Sequence, residues 1–185
     1  MWIYEKKLQY PVKIANPNPR LAGLIITALG GPDGETGAAM RYLNQRYTMP
    51  DGRVIATLTD VGSEELGHME MVASLVYQLT RNLTDEEIKA GGFDKYYVDH
   101  GDGIFPASAS GVPFSAMAIA SKGDALASIH EDLAAEQKAR AMYDNILRLS
   151  DDPDVNDVIK FLRQREVVHF QRFGEAMEIL RDKKF

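Results

Sequence analysis

Two apolar helical stripes, each interrupted by one glutamate and one histidine, constrain the fold of this chain more than any other feature. In residues 53–81, inward-facing positions recur in alternating steps of four and three, which is typical of one face of a long α-helix. This stripe consists of Val54, Leu58, Val61, Glu65, His68, Val72, Leu75 and Leu79. Residues 154–182 repeat the pattern with Val155, Ile159, Leu162, Glu166, His169, Phe173, Ala176 and Leu180.

Two further segments carry a glutamate on a stripe of the same kind. In residues 20–47, a seven-residue spacing joins Leu21, Ala28, Glu35 and Tyr42. In residues 121–149, the predicted inward face consists of Leu126, Ile129, Leu133, Glu136, Arg140, Tyr143 and Leu147. Each of the four helices therefore carries one inward carboxylate near the middle of its length.

The spacing of these glutamates agrees between the two halves of the chain. Glu35 precedes Glu65 by 30 residues, and Glu136 precedes Glu166 by 30 residues. Each half is thus a helix with one glutamate followed by a helix with Glu-x-x-His, which places both side chains on one face. Burying four carboxylates side by side is costly unless cations lie between them. The pattern is that of carboxylate-bridged dimetal sites and predicts a buried pair of metal ions.

The rest of the chain predicts an all-α fold, a ferritin-like four-helix bundle. Prolines in residues 1–19 indicate an extended N-terminal arm. The glycine-rich residues 82–120 hold one short helix, at 84–90 with Thr84 as its cap, and form a long crossover between the second and third helices. Two helix pairs joined by one crossover are typical of ferritin-like bundles, and we expect residues 1–185 to form a single domain.

Several individual residues carry smaller expectations. Pro32 should kink or interrupt the first helix, and Asp33 could cap the restarted segment. Glu64 precedes His68 by one turn but lies off the apolar stripe, so we expect it to be solvated. His130 and His100 are expected to be a surface residue and a loop residue, respectively.

Composition excludes several classes of function. The chain has 185 residues and a net charge of −6, with its basic residues scattered, which argues against nucleic acid and against a basic membrane-binding patch. It has no cysteine, so disulfides, iron–sulfur clusters and thiol catalysis are excluded. Residues 1–7 have no apolar stretch, so we expect synthesis in the cytoplasm without a signal peptide.

Four segments resemble the manganese catalases, and most closely their spore-coat relatives of the CotJC type. They are residues 30–43 (GGPDGETGAAMRYL), 59–71 (TDVGSEELGHMEM), 130–140 (HEDLAAEQKAR) and 165–170 (REVVHF). The likeness extends over nearly the whole chain. It implies disproportionation of two hydrogen peroxide molecules to dioxygen and water, two manganese ions per subunit, and a homo-oligomer, the hexamer of the family.

The resemblance also implies a role for each site residue. One manganese is expected to bind Glu35 and His68, and the other Glu136 and His169, with Glu65 bridging the two ions. Glu166 is expected to handle protons without binding metal, and Tyr42 to hydrogen-bond to the site. Longer catalases of the family have an arginine directly before the third-helix glutamate. Ala135 stands there in this chain, and Arg140 is a candidate to replace that arginine.

Two alternatives stay open, because the ligand types alone do not separate manganese from iron. The first is a di-iron oxidase or ferroxidase of the ferritin-like class, in which Glu166 would be a true ligand. The second is a structural spore-coat protein whose metal site is weakly active, with other spore-coat proteins as partners. Catalase activity and a place in the spore coat are compatible with each other.

Overall fold

The computed structural model describes residue 5 and residues 7–182, and these residues contain six α-helices. The helices are α1 (Pro19–Gly30), α2 (Glu35–Gln45), α3 (Gly52–Thr80), α4 (Asp85–Ala90), α5 (Ala125–Leu149) and α6 (Pro153–Asp182). Both α1 and α2 pack on α3, and α5 packs on α6. Contacts of α3 with α6 and of α5 with α1 and α2 close the bundle, so the predicted four-helix bundle is confirmed with its first helix in two pieces.

The interruption between α1 and α2 follows from Pro32 and its neighbouring glycines. Pro32 has no backbone N–H to continue the helix, and a Cβ on Gly34 would lie 2.8 Å from the carbonyl oxygen of Ala28. The prediction that Asp33 caps the second piece was wrong. The N-cap of α2 is Gly34, which makes no side-chain cap, while Asp33 forms an ion pair with Lys138 at 2.7 Å. The interruption leaves Glu35 as the first residue of α2.

The predicted inward faces of α3 and α6 are buried along their whole length. The predicted face of α5 was partly wrong. Leu126 is 42% exposed, and the inward face instead consists of Ile129, Asp132, Glu136, Ala139, Tyr143 and Ile146. The predicted and observed faces share Ile129, Glu136 and Tyr143. They differ at the positions between, where the prediction placed leucines and Arg140. The fold buries Asp132 and the small Ala139 there instead.

The crossover between α3 and α5 has little regular structure. It contains α4, where Thr84 and Glu87 form the capping box that the sequence predicts, and 3₁₀ turns at Asp94–Tyr96 and Ala116–Ala118. Phe93 is buried and anchors the crossover on the hydrophobic core around α1. Helix α5 begins with Asp124 as its N-cap, four residues later than predicted.

The N-terminal arm lies against its own bundle over the residues that can be described. Val12 and Ile14 are buried, and the Gln78 side chain of α3 bonds to the backbone of both. Tyr10 stacks on Phe161 of α6 with ring centroids 4.8 Å apart. Residues 1–4 and 6 lie outside the described residues, and with them most of the segment on which the signal-peptide expectation depends. Within the described part of the chain, no helix is long and apolar enough to cross a membrane.

Candidate metal centre

The six charged side chains that the sequence predicts for the site meet in the middle of the bundle. They come from four helices and are no more than 2% exposed: Glu35 from α2, Glu65 and His68 from α3, Glu136 from α5, and Glu166 and His169 from α6. The packing of α2 on α3 and of α5 on α6 assembles each half of the pattern, and contacts of α3 with α6 and of α2 with α5 bring the two halves face to face.

Glu65 lies between the two histidines. Its Oε2 atom is 2.6 Å from Nδ1 of His68, and its Oε1 atom is 2.8 Å from Nδ1 of His169. Each histidine also faces the glutamate of its own half of the chain. Nδ1 of His68 is 3.8 Å from Glu35, and Nδ1 of His169 is 3.7 Å from Glu136. The centre is therefore nearly symmetric, with one glutamate in the middle and a histidine–glutamate pair on each side.

Many polar atoms of this cluster are buried without a hydrogen bond of normal geometry. They include Oε1 of Glu65, both carboxylate oxygens of Glu136, Oε1 of Glu166 and both ring nitrogens of His169. Glu65, His68, Glu166 and His169 each offer one ligand atom within 4.8 Å of the others. Carboxylate oxygens and imidazole nitrogens are ligands that manganese and iron accept. The donor set therefore fits metal ions and accounts for the otherwise unsatisfied atoms.

Two tyrosines flank the carboxylates. The Tyr143 hydroxyl donates a hydrogen bond to Glu35. Tyr42, predicted to hydrogen-bond to the site, is buried beside Glu136, and burial together with that carboxylate raises its pKa well above the ordinary value. The sequence placed Tyr143 on the inward stripe but not as a partner of Glu35. The direction of the helices could have indicated this pair. Because α2 and α5 pack antiparallel, Glu35 at the start of α2 lies opposite the C-terminal part of α5, which contains Tyr143.

Glu64 was predicted to be solvated, and this was wrong. Its side chain is only 15% exposed and lies on the outer side of both histidines, 3.5 Å from Nε2 of His68 and 3.1 Å from Nε2 of His169. Arg165 and Gln9 donate to the same carboxylate at 2.6 and 2.7 Å. The Nε2 atoms thus face Glu64, which leaves the Nδ1 atoms directed towards the carboxylate cluster. The Glu64 carboxylate therefore fixes the orientation of both imidazole rings.

The environment shifts the pKa values of these groups strongly. Burial raises the pKa of Glu35, Glu136 and Glu166, and the neighbouring carboxylates add to the effect. Burial lowers the imidazole pKa values, but Glu65 and the other carboxylates around each ring together outweigh it and raise the pKa of His68 to about 10 and that of His169 to about 12. Without metal, the histidines therefore carry the positive charge that the carboxylates need.

Arg140 does not approach the site, so the suggestion that it replaces the family's arginine was wrong. Its guanidinium donates to Gln137 at 3.0 Å and to Asp144 at 2.7 Å, and it is partly exposed. Ala135 is buried directly before Glu136. His130 and His100 are both exposed, as predicted.

The chain is similar to known proteins over nearly its whole length. The model of the family "Manganese containing catalase" matches residues 1–185. Protein CotJC of Bacillus subtilis is 54% identical over 184 residues, covering 100% of this chain and 97% of the relative. A probable manganese catalase of Clostridium acetobutylicum is 35% identical over 179 residues, covering 96% of this chain and 80% of the relative. The manganese catalase of Bacillus subtilis is 32% identical, covering 97% and 71%.

The fold is similar to a solved structure as well. The crystal structure of KatB, a manganese catalase from Anabaena, superposes with a TM-score of 0.90 at 29% sequence identity. The match covers 97% of this chain and 81% of that one.

We predict that the metal-free protein loses stability as the pH rises. Unfolded histidines titrate near pH 6.5, whereas His68 and His169 keep their protons to about pH 10 and 12 in the fold. Above pH 6.5 the folded state binds more protons than the unfolded state, so their stabilising contribution is complete below that pH and is lost as the pH approaches 10. The raised pKa values of Glu35 and Glu166 also make the folded state bind more protons than the unfolded state. They therefore lower stability with rising pH as well, beginning at a lower pH than the histidines.

Circular dichroism melting of metal-free protein checks this at about pH 6 and about pH 9. The melting temperature should fall over this range. The metal-loaded protein serves as the control and should change less, because metal-bound histidines are already neutral. A melting temperature of the metal-free protein that is flat or rises with pH would contradict the charge distribution described above.

We predict that Glu64→Gln weakens metal binding by about 10- to 100-fold, because removing the group that orients a ligand histidine has effects of this size. The measurement is a competition titration with a chelator. Asp60→Asn is the matched control, since Asp60 pairs with Arg172 between the same two helices and lies about two turns before His68. Equal affinities of Glu64→Gln and wild type would show that Glu64 does not hold the histidines.

Proposed function

This chain belongs to the manganese catalase family, and we propose on that premise that its buried centre disproportionates hydrogen peroxide to dioxygen and water. The observation that carries the proposal is the position of Glu65 between Nδ1 of His68 and Nδ1 of His169, with a second glutamate beside each histidine. Two glutamates and two Glu-x-x-His pairs on four helices are what a dimetal carboxylate centre requires.

The proposed ligand set follows the two halves of the centre. One manganese ion would be held by Glu35 and Nδ1 of His68, and the other by Glu136 and Nδ1 of His169. Glu65 would bridge them, since its two oxygens point to different histidines. When bound, two manganese ions that each change by one electron supply the two-electron exchange that peroxide disproportionation needs.

Glu166 is the proposed proton carrier. It is buried, and its Oε1 atom makes no hydrogen bond of normal geometry. In the metal-free protein, burial and the neighbouring carboxylates raise its pKa. In its ionised form, Glu166 can take at Oε1 one of the two protons released when a first peroxide is oxidised to dioxygen, and can return it when a second peroxide is reduced to two water molecules. Tyr42 would hold the Glu136 carboxylate in place beside it.

One observation keeps the iron alternative in view. Glu166 offers an oxygen within 4.8 Å of ligand atoms on Glu65, His68 and His169, which suits a true ligand as well as a free carboxylate. A di-iron oxidase or ferroxidase would use it as a ligand. Analysis of the bound metal distinguishes the two.

The proposal extends to assembly and location. We propose a homo-oligomer, the hexamer expected for this family, in which residues 1–185 form one domain. The 54% identity to Protein CotJC favours association with the spore coat and with other coat proteins, after synthesis in the cytoplasm. In that setting, a structural role would accompany peroxide removal.

The proposed function is tested by metal analysis of natively purified protein together with oxygen release from peroxide. Wild type should hold about two manganese ions per chain and release oxygen. His169→Ala should hold about one ion or fewer and lose at least about 100-fold in turnover, because one side of the centre loses its nitrogen ligand.

His130→Ala is the control, since His130 is exposed on α5, and it should keep both the metal and the turnover. Wild type that holds iron in place of manganese and releases no oxygen would favour the oxidase alternative. Unchanged metal content in His169→Ala would contradict the ligand assignment.

A further inference from the structure

A row of polar pairs runs along the seam between α2 and α5 and continues beyond the metal centre. The two helices are antiparallel, so residue numbers rise along α2 as the numbers of their partners fall along α5. The successive pairs are Glu35 with Tyr143, Tyr42 with Glu136, and Gln45 with Asp132. The first two pairs belong to the metal centre. The third lies one helical turn further along α5 and has no role in the reaction described above.

Asp132 is a buried carboxyl group whose oxygens lack hydrogen-bond partners. It is 0% exposed, and neither carboxylate oxygen makes a hydrogen bond of normal geometry, although the Gln45 amide lies close enough to influence its pKa. Oε1 of Gln45 and Oγ of Ser128 are also buried without a hydrogen bond. Burial raises the pKa of Asp132 well above its usual value. A neutral carboxylic acid can both donate and accept hydrogen bonds.

Beyond this pair, the seam is covered by the backbone of the crossover. Gln45 Nε2 donates to the carbonyl of Ala120 at 2.9 Å, and Arg41 donates to the carbonyl of Ala118 at 3.4 Å. Arg41 also pairs with Glu131 at 3.0 Å, and the Glu131 side chain is 25% exposed. The polar seam therefore extends from the metal centre to a partly exposed ion pair beneath residues 118–120.

The kind of ligand follows from these surroundings. Several buried donors and acceptors without partners are normally satisfied by ordered water, which needs two to four polar contacts. The buried guanidinium of Arg41 disfavours a cation in the same place. Asp132, Gln45 and Ser128 are no more than 2% exposed, so a large molecule in solution does not reach them. Hydrogen peroxide is close to water in size and also donates and accepts hydrogen bonds.

We propose that Asp132, Gln45 and Ser128 form a binding site for water-sized hydrogen-bonding molecules, through which water and hydrogen peroxide pass between the crossover at residues 118–120 and the metal centre. The passage of peroxide rests on the proposed function. The binding of water at the site does not, so the two can fail separately.

The first test is a high-resolution crystal structure of the wild-type protein without metal. We expect at least one ordered water within hydrogen-bonding distance of the Asp132 carboxylate and of Gln45 or Ser128. A dry site, in which Asp132 bonds directly to Gln45, would overturn the proposal. This result is independent of catalase activity and of any variant's ability to fold.

The second test compares Asp132→Leu with Asp132→Asn. Leucine fills the site with apolar atoms, so kcat/KM for hydrogen peroxide should fall by about 10-fold or more at unchanged metal content. Asparagine keeps hydrogen-bonding groups at equal size and should stay within about threefold of wild type. Asp144→Leu is the control, because Asp144 lies 40% exposed on the same helix and pairs with Arg140.

Each of the remaining outcomes contradicts one part of the proposal. If kcat/KM fell equally in the asparagine and leucine variants, the proposed binding site would be contradicted. That result would indicate proton transfer by Asp132 itself. Wild-type kcat/KM in the leucine variant would exclude this route for peroxide. Absence of turnover in metal-loaded wild type would count against the proposed function alone, since the crystal structure still decides whether the site binds water.

Discussion

The structure depends on how a group of buried carboxylates is neutralised. Four glutamates, each no more than 2% exposed, share the centre of the bundle with two histidines. Removing each charge from water costs several kcal/mol unless an opposite charge lies within contact distance. In the metal-free protein, the raised pKa values of His68 and His169 place protons on both imidazoles. Two divalent cations at the same positions would neutralise the carboxylates more completely and release those protons.

The fold supplies the geometry that this neutralisation requires. The interruption at Pro32 ends α1 and lets α2 start at Glu35, which turns that carboxylate towards His68. Outside the centre, Glu64 contacts both histidines and Arg165, so one carboxylate fixes two rings from two helices. The same face receives Gln9 from the N-terminal arm, which connects the arm to the histidine positions. Chain segments far apart in sequence therefore act on the same two rings.

Much of this arrangement could be predicted from the sequence, because the buried residues of a long helix recur at regular intervals. The stripes of α3 and α6 were correct, since only Glu65, His68, Glu166 and His169 interrupt otherwise apolar positions. The face of α5 was partly wrong because Asp132 and the alanines beside it resemble a solvated face. Glu64 was misjudged for a related reason: its partners come from α6 and the arm, and the pattern of one helix contains no information about another. The path of the crossover had no periodic signal at all.

We expect two metal ions to lie between the Nδ1 atoms of His68 and His169, on either side of Glu65. Anomalous X-ray diffraction from crystals of manganese-loaded protein, recorded on both sides of the manganese absorption edge, measures this directly. We predict two manganese peaks per chain, one contacting Nδ1 of His68 and Glu35, the other contacting Nδ1 of His169 and Glu136, with a Glu65 oxygen at each. A single peak, or ions bound through Nε2 on the Glu64 side, would contradict it.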